Sequence, residues 1–308
     1  MSRQLASPEQ PAAPRAPDVA RGLVSAMRPR QWLKNVLVLA APAAAGVLLR
    51  PSALAIALGA TGLFCIVSGA TYLWNDSFDV EADQRHPTKR HRPLAAGVVS
   101  IPLARAVGTI GIALAIAGGW LLAGGALALV LVSYVAVTLA YSLWLKHEPV
   151  LDLAAVATGF VLRAVAGGVA VHVPLSDWFL IVTSFGSLFV VAGKRSAEQE
   201  ELGAVPGRHR ATLVAYSSGY LRYVRSLASA VAIAAYCVWA FQRGALLHNG
   251  TVLFEASIAP FVLAVLRYGL RLEQGAGGAP EEVFLSDRPL QLLGVAWIVL
   301  FALGISLG

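Results

Sequence analysis

The stretch "NDSFDVEADQRHPTKRHRP", residues 75–93, gathers charge between two almost purely apolar segments. Four carboxylates come first, and four arginine or lysine side chains follow them. The whole chain of 308 residues is 57% hydrophobic and only 13% charged, whereas a soluble domain carries about 25% charged residues. This composition predicts an integral membrane protein in which the quoted stretch is a loop at the edge of the bilayer.

Apolar runs of the length that crosses a bilayer recur along the chain. A membrane-spanning helix needs about 20 apolar residues, and nine segments approach or reach that length. The sequence therefore predicts an all-α fold, a polytopic bundle of nine transmembrane helices. Pro42 interrupts the first expected span, and Arg222 and Arg225 lie in the seventh. The expected spans are residues 33–49, 53–74, 101–120, 123–144, 150–172, 177–193, 218–241, 252–270 and 290–307.

The N-terminal 27 residues differ from the rest, since they are rich in Ala, Pro and Arg and contain no apolar run. Such a composition is typical of disorder. We therefore expect a disordered cytoplasmic tail over residues 1–27 and a single helical domain over residues 28–308. A cleaved signal peptide would need an apolar core that this segment lacks.

The distribution of positive charge predicts the orientation. If the N-terminus is cytoplasmic, 21 of the 24 Lys and Arg residues lie on or near the inner face, Arg50 and Arg243 lie outside, and Arg163 lies within a span. Basic residues favour the cytoplasmic side, so we expect a plasma (inner) membrane protein whose chemistry faces the cytoplasm. The net charge of +7 thus reflects membrane topology, and it does not indicate nucleic acid binding.

Four side chains at the start of the quoted stretch follow a helical spacing. If the second span continues, Asn75, Asp79 and Asp83 lie at i, i+4 and i+8, and Asp76 joins the same face. Like charges on one face repel, so a bound cation explains the pattern better than helix stability does. Mg²⁺ prefers oxygen ligands and typically combines carboxylates with substrate phosphates. The alternative is a solvated acidic cap.

Two interpretations exist for the basic residues that follow, which include Arg85, Lys89 and Arg92. They bind phosphate oxygens of a substrate, or they only mark the cytoplasmic side of the membrane. The sequence leaves both interpretations open.

The motif N-D-x-x-D-x-x-x-D after the second of nine expected spans resembles the UbiA superfamily of intramembrane prenyltransferases, over about residues 28–307. The resemblance implies that Asp76, Asp79 and Asp83 bind a Mg²⁺–diphosphate complex at the cytoplasmic mouth of a lipid-lined cavity. It also implies a second acidic motif, usually D-x-x-x-D, in the loop after the sixth span.

The sequence departs from the family at that second motif. The expected loop reads "AGKRSAEQEELG", residues 192–203, and offers Lys194, Arg195 and Glu198 in place of two aspartates. Two leading cations favour direct binding of an anion over binding of a second metal ion. An ordinary basic flank of the sixth span is the alternative.

Further polar residues are expected at the same face. Lys34 lies near the start of the first span, Tyr141 and Lys146 near the end of the fourth, and Asp152 at the start of the fifth. Arg163 lies 11 residues after Asp152, at a depth of about 16 Å for a rise of 1.5 Å per residue. A charge at that depth is costly, which indicates either an anion contact inside the cavity or an internal ion pair.

Four segments, "RPRQWLKN", "NDSFDVEAD", "HPTKRHRPLAAG" and "AGKRSAE", resemble one branch of the superfamily. Its members transfer the 5-phosphoribosyl group of phosphoribosyl pyrophosphate to decaprenyl phosphate, in the synthesis of arabinose donors for cell-wall polysaccharides. The resemblance implies Mg²⁺ as cofactor, with phosphoribosyl pyrophosphate and a polyprenyl phosphate as substrates. Lys34, Lys146, Arg163, Lys194 and Arg195 are then candidates for contacting phosphate groups.

Within that reading, Asp152 and Glu198 are candidates to accept hydrogen bonds from ribose hydroxyls. An anionic phosphate nucleophile needs positioning and no strong base, which agrees with the lack of any Ser, Cys or His arrangement. The alternative enzyme moves a prenyl group from its diphosphate to an aromatic acceptor. A transporter is disfavoured because the polar residues gather at one face. The sequence leaves the oligomeric state open, a homo-oligomer included.

Overall fold

The computed structural model describes residues 16–203, 215–246, 251–276 and 280–307, and all regular structure in these ranges is helical. Twelve α-helices follow one another in the described ranges. They are α1 (Ala16–Ala26), α2 (Ala40–Ala44), α3 (Pro51–Phe78), α4 (Val80–Gln84), α5 (Ile101–Ala123), α6 (Gly125–Leu143), α7 (Leu151–Ala170), α8 (Asp177–Gly203), α9 (Ser218–Leu246), α10 (Thr251–Glu273), α11 (Pro280–Ser286) and α12 (Arg288–Leu307). Short 3₁₀-helices cover Pro29–Leu39, Lys89–His91 and Leu145–His147.

Eight of the helices in the described ranges have the length and apolar composition needed to cross a membrane. They are α3, α5, α6, α7, α8, α9, α10 and α12, and they correspond to the second to ninth expected spans. The all-α membrane bundle predicted from the apolar runs is therefore confirmed.

The first expected span is irregular. It consists of the 3₁₀-helix Pro29–Leu39 followed by the five-residue α2. Arg28, at its start, contacts Asp76 near the end of α3. The start of α3 at Pro51 lies about 38 Å away along the helix axis, at 1.5 Å per residue for the 25 residues between them. Residues 29–50 must cover that distance, so the described chain crosses the bundle nine times, once without a long α-helix.

Close packing against α7 explains why this irregular segment fits the bundle. A Cβ atom on Gly167 would lie 1.6 Å from the carbonyl oxygen of Val38 and 3.0 Å from Pro42. Only a glycine leaves room for such an approach of two backbones. Val38 is fully buried with Phe64 and Leu127 in the core between α3, α5, α6 and α7.

The N-terminal region differs from the predicted disordered tail. Residues 16–26, which the sequence assigned to a disordered tail, form α1, while residues 1–15 lie outside the described ranges. Gly22 and Ala26, four residues apart, are buried, and Ala26 packs with Leu73 and Val99. The Ala and Pro content of the tail obscured this short amphipathic spacing.

The long helices alternate in direction, so their polar ends meet at one end of the bundle. The end of α3, the start of α7 and the end of α8 are joined there by side-chain contacts described below. Arg225 of α9 also pairs with Glu273 of α10 at 2.5 Å, and Arg267 of α10 pairs with Asp287 before α12 at 2.9 Å. This end of the bundle carries the candidate site.

Candidate active site

The acidic stripe of the sequence lies where α3 gives way to α4. The helix is interrupted at Asp79 (φ −100°, ψ 7°), yet the Asp83 backbone N–H still bonds the Asp79 carbonyl at 2.8 Å. Asp76 and Asp83 are consequently brought to one side and are buried, with 2% and 4% exposure. The carboxyl group of Asp79 is more exposed, as is Glu81.

Three cations neutralise these three carboxylates. Arg92 places one guanidinium nitrogen 2.6 Å from Asp83 Oδ2 and 3.3 Å from Asp76 Oδ1. Arg28 reaches Asp76 Oδ1 at 2.5 Å, and Lys146 reaches Asp79 Oδ1 at 2.9 Å. Arg92 thus bridges Asp76 and Asp83, and Lys146 pairs with Asp79.

The arrangement of these carboxylates can be compared with what a Mg²⁺ site requires. No three His, Cys, Asp or Glu side chains of the described residues converge closely enough to hold a metal ion by themselves. Asp76 and Asp83 nevertheless share a cation already, the Arg92 guanidinium, and their oxygens are the type that Mg²⁺ takes. One or two carboxylates completed by substrate phosphates suffice for Mg²⁺, so this pair fits the ion, with Asp79 beside it.

A second charged cluster surrounds Arg195 on α8. Its Nε donates to Asp152 Oδ2 at 3.0 Å, one terminal nitrogen donates to Glu198 Oε2 at 2.6 Å, and the other donates to the Tyr141 hydroxyl at 2.9 Å. The Arg195 side chain is only 6% exposed. All three guanidinium nitrogens therefore bind protein groups, and Arg195 fixes two carboxylates and a phenol in place.

Lys194 has a different environment. Its side chain is 41% exposed, and its ammonium lies 3.9 Å from Glu198 Oε1. Of the two neighbouring cations, Lys194 is the one whose charged group is accessible at the mouth of the bundle.

The prediction of a loop after the sixth span was wrong for residues 194–203. They continue α8 to Gly203, because the run "SAEQEEL" has strong helix formers. Lys194, Arg195 and Glu198 consequently lie on one helical surface at i, i+1 and i+4. Residues 204–214 lie outside the described ranges.

The end of α6 joins the two clusters. Tyr141 accepts the bond from Arg195, and its neighbour Ser142 donates to Asn75 Oδ1 at 2.6 Å. Lys146 follows one turn later and pairs with Asp79. The acidic stripe, the Arg195 cluster and the 145–152 connection therefore form one continuous polar site.

Arg163 is buried within α7, and the structure gives it neutral partners. It donates to Asn35 Oδ1 at 2.7 Å, to the Gly159 carbonyl at 2.7 Å and to the Tyr134 hydroxyl at 2.9 Å. Its guanidinium also lies 4.8 Å from the Tyr134 ring centroid. The internal ion pair considered above is absent among the described residues, since Asp152 pairs with Arg195. Arg163 instead ties the irregular first crossing to α7.

The remaining predicted residues lie at the edges of the site. Arg85 is exposed, and no described side chain pairs with it. The backbone N–H of Lys89 donates to His86 Nδ1 at 3.3 Å, and Lys34 donates to the side chain of Gln31. The structure does not place Arg85 in either cluster.

Two site residues were not among the predicted ones. Arg28 lies in the left-handed region (φ 55°), and its guanidinium covers the Tyr72 ring at 4.5 Å. The segment "RPRQWLKN" predicted it as one of the basic residues at the same face of the membrane, but its contact with Asp76 was not predicted. Tyr216 donates to Asp152, and nothing in its sequence surroundings signals that contact.

Comparison with known proteins identifies the family of this chain. The model of the UbiA prenyltransferase family matches residues 35–286. The chain belongs to that family. This UbiA protein, which has eight long apolar helices in its described ranges, is therefore an integral membrane protein.

Two curated relatives carry the same name, decaprenyl-phosphate phosphoribosyltransferase. The protein from Mycolicibacterium smegmatis is 44% identical over 300 residues, which cover 94% of this chain and 94% of the relative. The protein from Corynebacterium glutamicum is 44% identical over 288 residues, covering 91% of this chain and 86% of the relative.

Solved structures agree on the fold. A UbiA homolog from Archaeoglobus fulgidus bound to DMAPP and Mg²⁺ superposes with a TM-score of 0.70 at 15% sequence identity, covering 93% of this chain and all of the other. At that identity the similarity establishes the fold alone.

Proposed function

We propose that this UbiA protein transfers the 5-phosphoribosyl group of phosphoribosyl pyrophosphate to a polyprenyl phosphate, such as decaprenyl phosphate, and releases pyrophosphate. The observation that supports this reaction most directly is the cluster of Lys194, Arg195 and Glu198, which stands where the family pattern has two aspartates. The 44% identity to phosphoribosyltransferases over nearly the whole chain supports the same reaction.

The charge balance of the site supports binding of a metal–diphosphate complex. The carboxylates of Asp76, Asp79 and Asp83 face Arg28, Arg92 and Lys146, three negative against three positive groups. A diphosphate entering this mouth adds negative charge beside carboxylates, so a divalent cation between them is required. Asp76 and Asp83 would hold Mg²⁺, with Asp79 adjacent.

When bound, Mg²⁺ supplies Lewis acidity that neutralises charge on the departing pyrophosphate. The chain's own cations act beside it. Arg28, Arg92 and Lys146 line the same mouth and can transfer their hydrogen bonds from carboxylates to phosphate oxygens. Such charge-assisted bonds to phosphate are among the strongest that side chains form.

The second cluster is suited to the sugar. Arg195 holds the carboxylates of Asp152 and Glu198 at fixed positions, and carboxylate oxygens accept hydrogen bonds from ribose hydroxyls. Lys194, with its more accessible ammonium, is placed for a phosphate group of either substrate. Arg195 thereby acts through the groups that it orients, and Lys194 acts by contact.

The chemical step needs no strong base. A lipid phosphate oxygen attacks C1 of the ribose, the C1–O bond to pyrophosphate breaks, and the electron pair of that bond leaves with the pyrophosphate. The attacking oxygen is already anionic at neutral pH, so positioning contributes most of the rate. Fixed donors around the leaving group stabilise the charge that develops on it.

The orientation of the bundle in the membrane bears on where each substrate enters the site. Most basic residues of the described ranges lie at the polar end of the bundle, and the positive-inside rule favours the cytoplasmic side for such an end. Phosphoribosyl pyrophosphate is a charged, water-soluble substrate that would enter from that side, while the polyprenyl chain stays in the bilayer.

The direct test uses purified protein in lipid nanodiscs with Mg²⁺. One reaction contains phosphoribosyl pyrophosphate and polyprenyl phosphate, and a parallel reaction contains a prenyl diphosphate and 4-hydroxybenzoate. We expect product in the first reaction and its loss on chelation with EDTA. Turnover only in the second reaction would replace the proposal with prenyl transfer to an aromatic acceptor.

A further inference from the structure

Tyr216 connects the segment before α9 to the start of α7. Its hydroxyl donates to Asp152 and accepts the backbone N–H of Val150 at 2.5 Å. The ring is 3% exposed and packs with Leu153 and Leu221. One phenol oxygen thus binds both a candidate ribose-binding carboxylate and the backbone next to it.

The backbone that Tyr216 binds is strained. Val150 has φ 70° and ψ −47°, a conformation that is a genuine outlier for a β-branched residue. Such strain persists only where surrounding contacts enforce it, and it concentrates at functional sites. The hydrogen bond from the Val150 N–H to Tyr216 is one such contact.

The strained connection carries two groups of the proposed site. Lys146 on one side of Val150 pairs with Asp79 of the acidic stripe, and Asp152 on the other side pairs with Arg195. A shift at Val150 would therefore move the phosphate side and the ribose side relative to each other. A misplacement of about 1 Å costs as much as a hundredfold in rate.

We infer that Tyr216 is a positioning residue of the phosphoribosyl transfer, holding Asp152 and the 145–152 connection in register with the acidic stripe. This inference rests on the proposed function. Tyr216 acts through Asp152 and Val150 and needs no contact with substrate.

The ionisation of Tyr216 suits this role. Burial, and then the hydrogen bond to Asp152, raise the pKa of the Tyr216 phenol above its ordinary value, which is about 10. The hydroxyl therefore keeps its proton at neutral pH and remains a donor to the Asp152 carboxylate.

The neighbouring Tyr220 offers a matched control. Its ring stacks on that of Tyr216 with 5.6 Å between centroids and 5° between planes, and its hydroxyl bonds no described residue. Tyr220→Phe removes the same atom four residues later in the chain and leaves the hydrogen bonds to Asp152 and Val150 in place.

The test compares Tyr216→Phe with Tyr220→Phe in the nanodisc assay. A hydrogen bond to a charged group corresponds to roughly a ten- to hundredfold effect, so we expect Tyr216→Phe to lower kcat by about that factor. KM for polyprenyl phosphate should not change, since Asp152 serves the ribose. Tyr220→Phe should keep the wild-type kcat.

A double variant separates positioning from general loss of stability. If Tyr216 acts through Asp152, then Tyr216→Phe should add little to the loss caused by Asp152→Asn, because groups acting as a unit are not additive. Multiplicative losses would overturn the inference, as would equal activity of Tyr216→Phe and Tyr220→Phe.

A second variant covers the case in which Tyr216→Phe does not fold. 4-Aminophenylalanine at position 216 keeps the ring and an N–H donor, so it should retain most of the wild-type kcat, and an inactive folded protein would overturn the inference. Wild-type protein that fails to transfer phosphoribose contradicts the proposed function itself, whereas active wild type with a silent Tyr216→Phe contradicts only the role of Tyr216.

Discussion

At the scale of single residues, the burial of Asp76 and Asp83 separates them from other acidic groups at the membrane surface. A surface carboxylate would be solvated, yet both accept bonds from the same Arg92 nitrogen. Burial of charge is tolerated when the charge is paired or holds a metal. Substitutions of these two carboxylates therefore test the proposed metal site most directly.

We expect Asp83→Asn to lower activity by at least the roughly 10- to 100-fold that loss of even an outer-shell partner of a metal causes. The Mg²⁺ concentration for half-maximal rate should rise, because one negatively charged ligand is removed. Glu81→Gln is the control, since Glu81 is exposed two residues away. Equal Mg²⁺ titrations for both variants would contradict the metal role of Asp83.

Arg195 and Lys194 are adjacent in sequence but differ in what they stabilise. Removing one partner from a buried ion pair costs about 3–5 kcal/mol, whereas an exposed pair contributes about 0–1 kcal/mol. We therefore expect Arg195→Ala to lower the thermal midpoint clearly and Lys194→Ala to leave it nearly unchanged, measured by tryptophan fluorescence. Lys194→Ala should instead raise KM for a phosphate substrate. The same midpoint for both variants would contradict the structural role of Arg195.

At the scale of elements, the first crossing shows how a segment without a long α-helix fits a membrane bundle. Asn35 in the 3₁₀-helix accepts from Arg163, and the Val38 backbone lies directly on Gly167. Backbone groups inside a bilayer must be satisfied within the protein. The polar layer and the glycine contact on α7 serve that need.

Gly167→Ala should therefore destabilise the protein, because the new methyl group would overlap the Val38 carbonyl oxygen. Overpacking costs about 1–3 kcal/mol or more, so a lower thermal midpoint and reduced activity are expected. Gly186→Ala on α8 is the matched control, since no atom outside its own stretch of helix lies within 4 Å of its added Cβ. If Gly167→Ala were as stable as Gly186→Ala, the close approach of the first crossing to α7 would be wrong.

The element scale also shows which parts of the molecule the sequence could predict. Apolar length predicted nine spans, of which eight are long helices in the described ranges. The helical spacing predicted that Asp76 and Asp83 would share one face with Asn75 and Asp79, and both signals are local. The partners of Arg163 and Arg195 lie 128 and 43 residues away, at Asn35 and Asp152. No local pattern encodes such contacts. Tyr216 was missed for the same reason.

At the scale of the whole molecule, nine crossings place α1 and the end of α12 on opposite sides of the membrane. Single cysteines in a background lacking Cys65 and Cys237 can check this with a membrane-impermeant thiol reagent. Ser25→Cys, exposed on α1 before the first crossing, should react only from the cytoplasmic side, and Ser306→Cys, near the end of α12, only from the other. Reaction of both from one side would contradict nine crossings.

The overall charge balance of the polar end bears on the substrate. The two clusters pair their carboxylates with Arg28, Arg92, Lys146, Lys194 and Arg195, so the same mouth offers acceptors for a sugar and cations for several phosphates. A prenyl diphosphate has no sugar to engage Asp152 and Glu198. Under the proposed assignment of residues, phosphoribosyl transfer uses both clusters.

The most direct measurement follows the phosphorus atoms of phosphoribosyl pyrophosphate in two separately labelled preparations. With ³²P in the 5-phosphate, label should move into the organic phase with the polyprenyl product. With ³²P at the β-position of the pyrophosphate, label should stay in the aqueous phase as pyrophosphate. Lipid product that carries the β-label, or no lipid-bound label from the 5-phosphate, would contradict phosphoribosyl transfer.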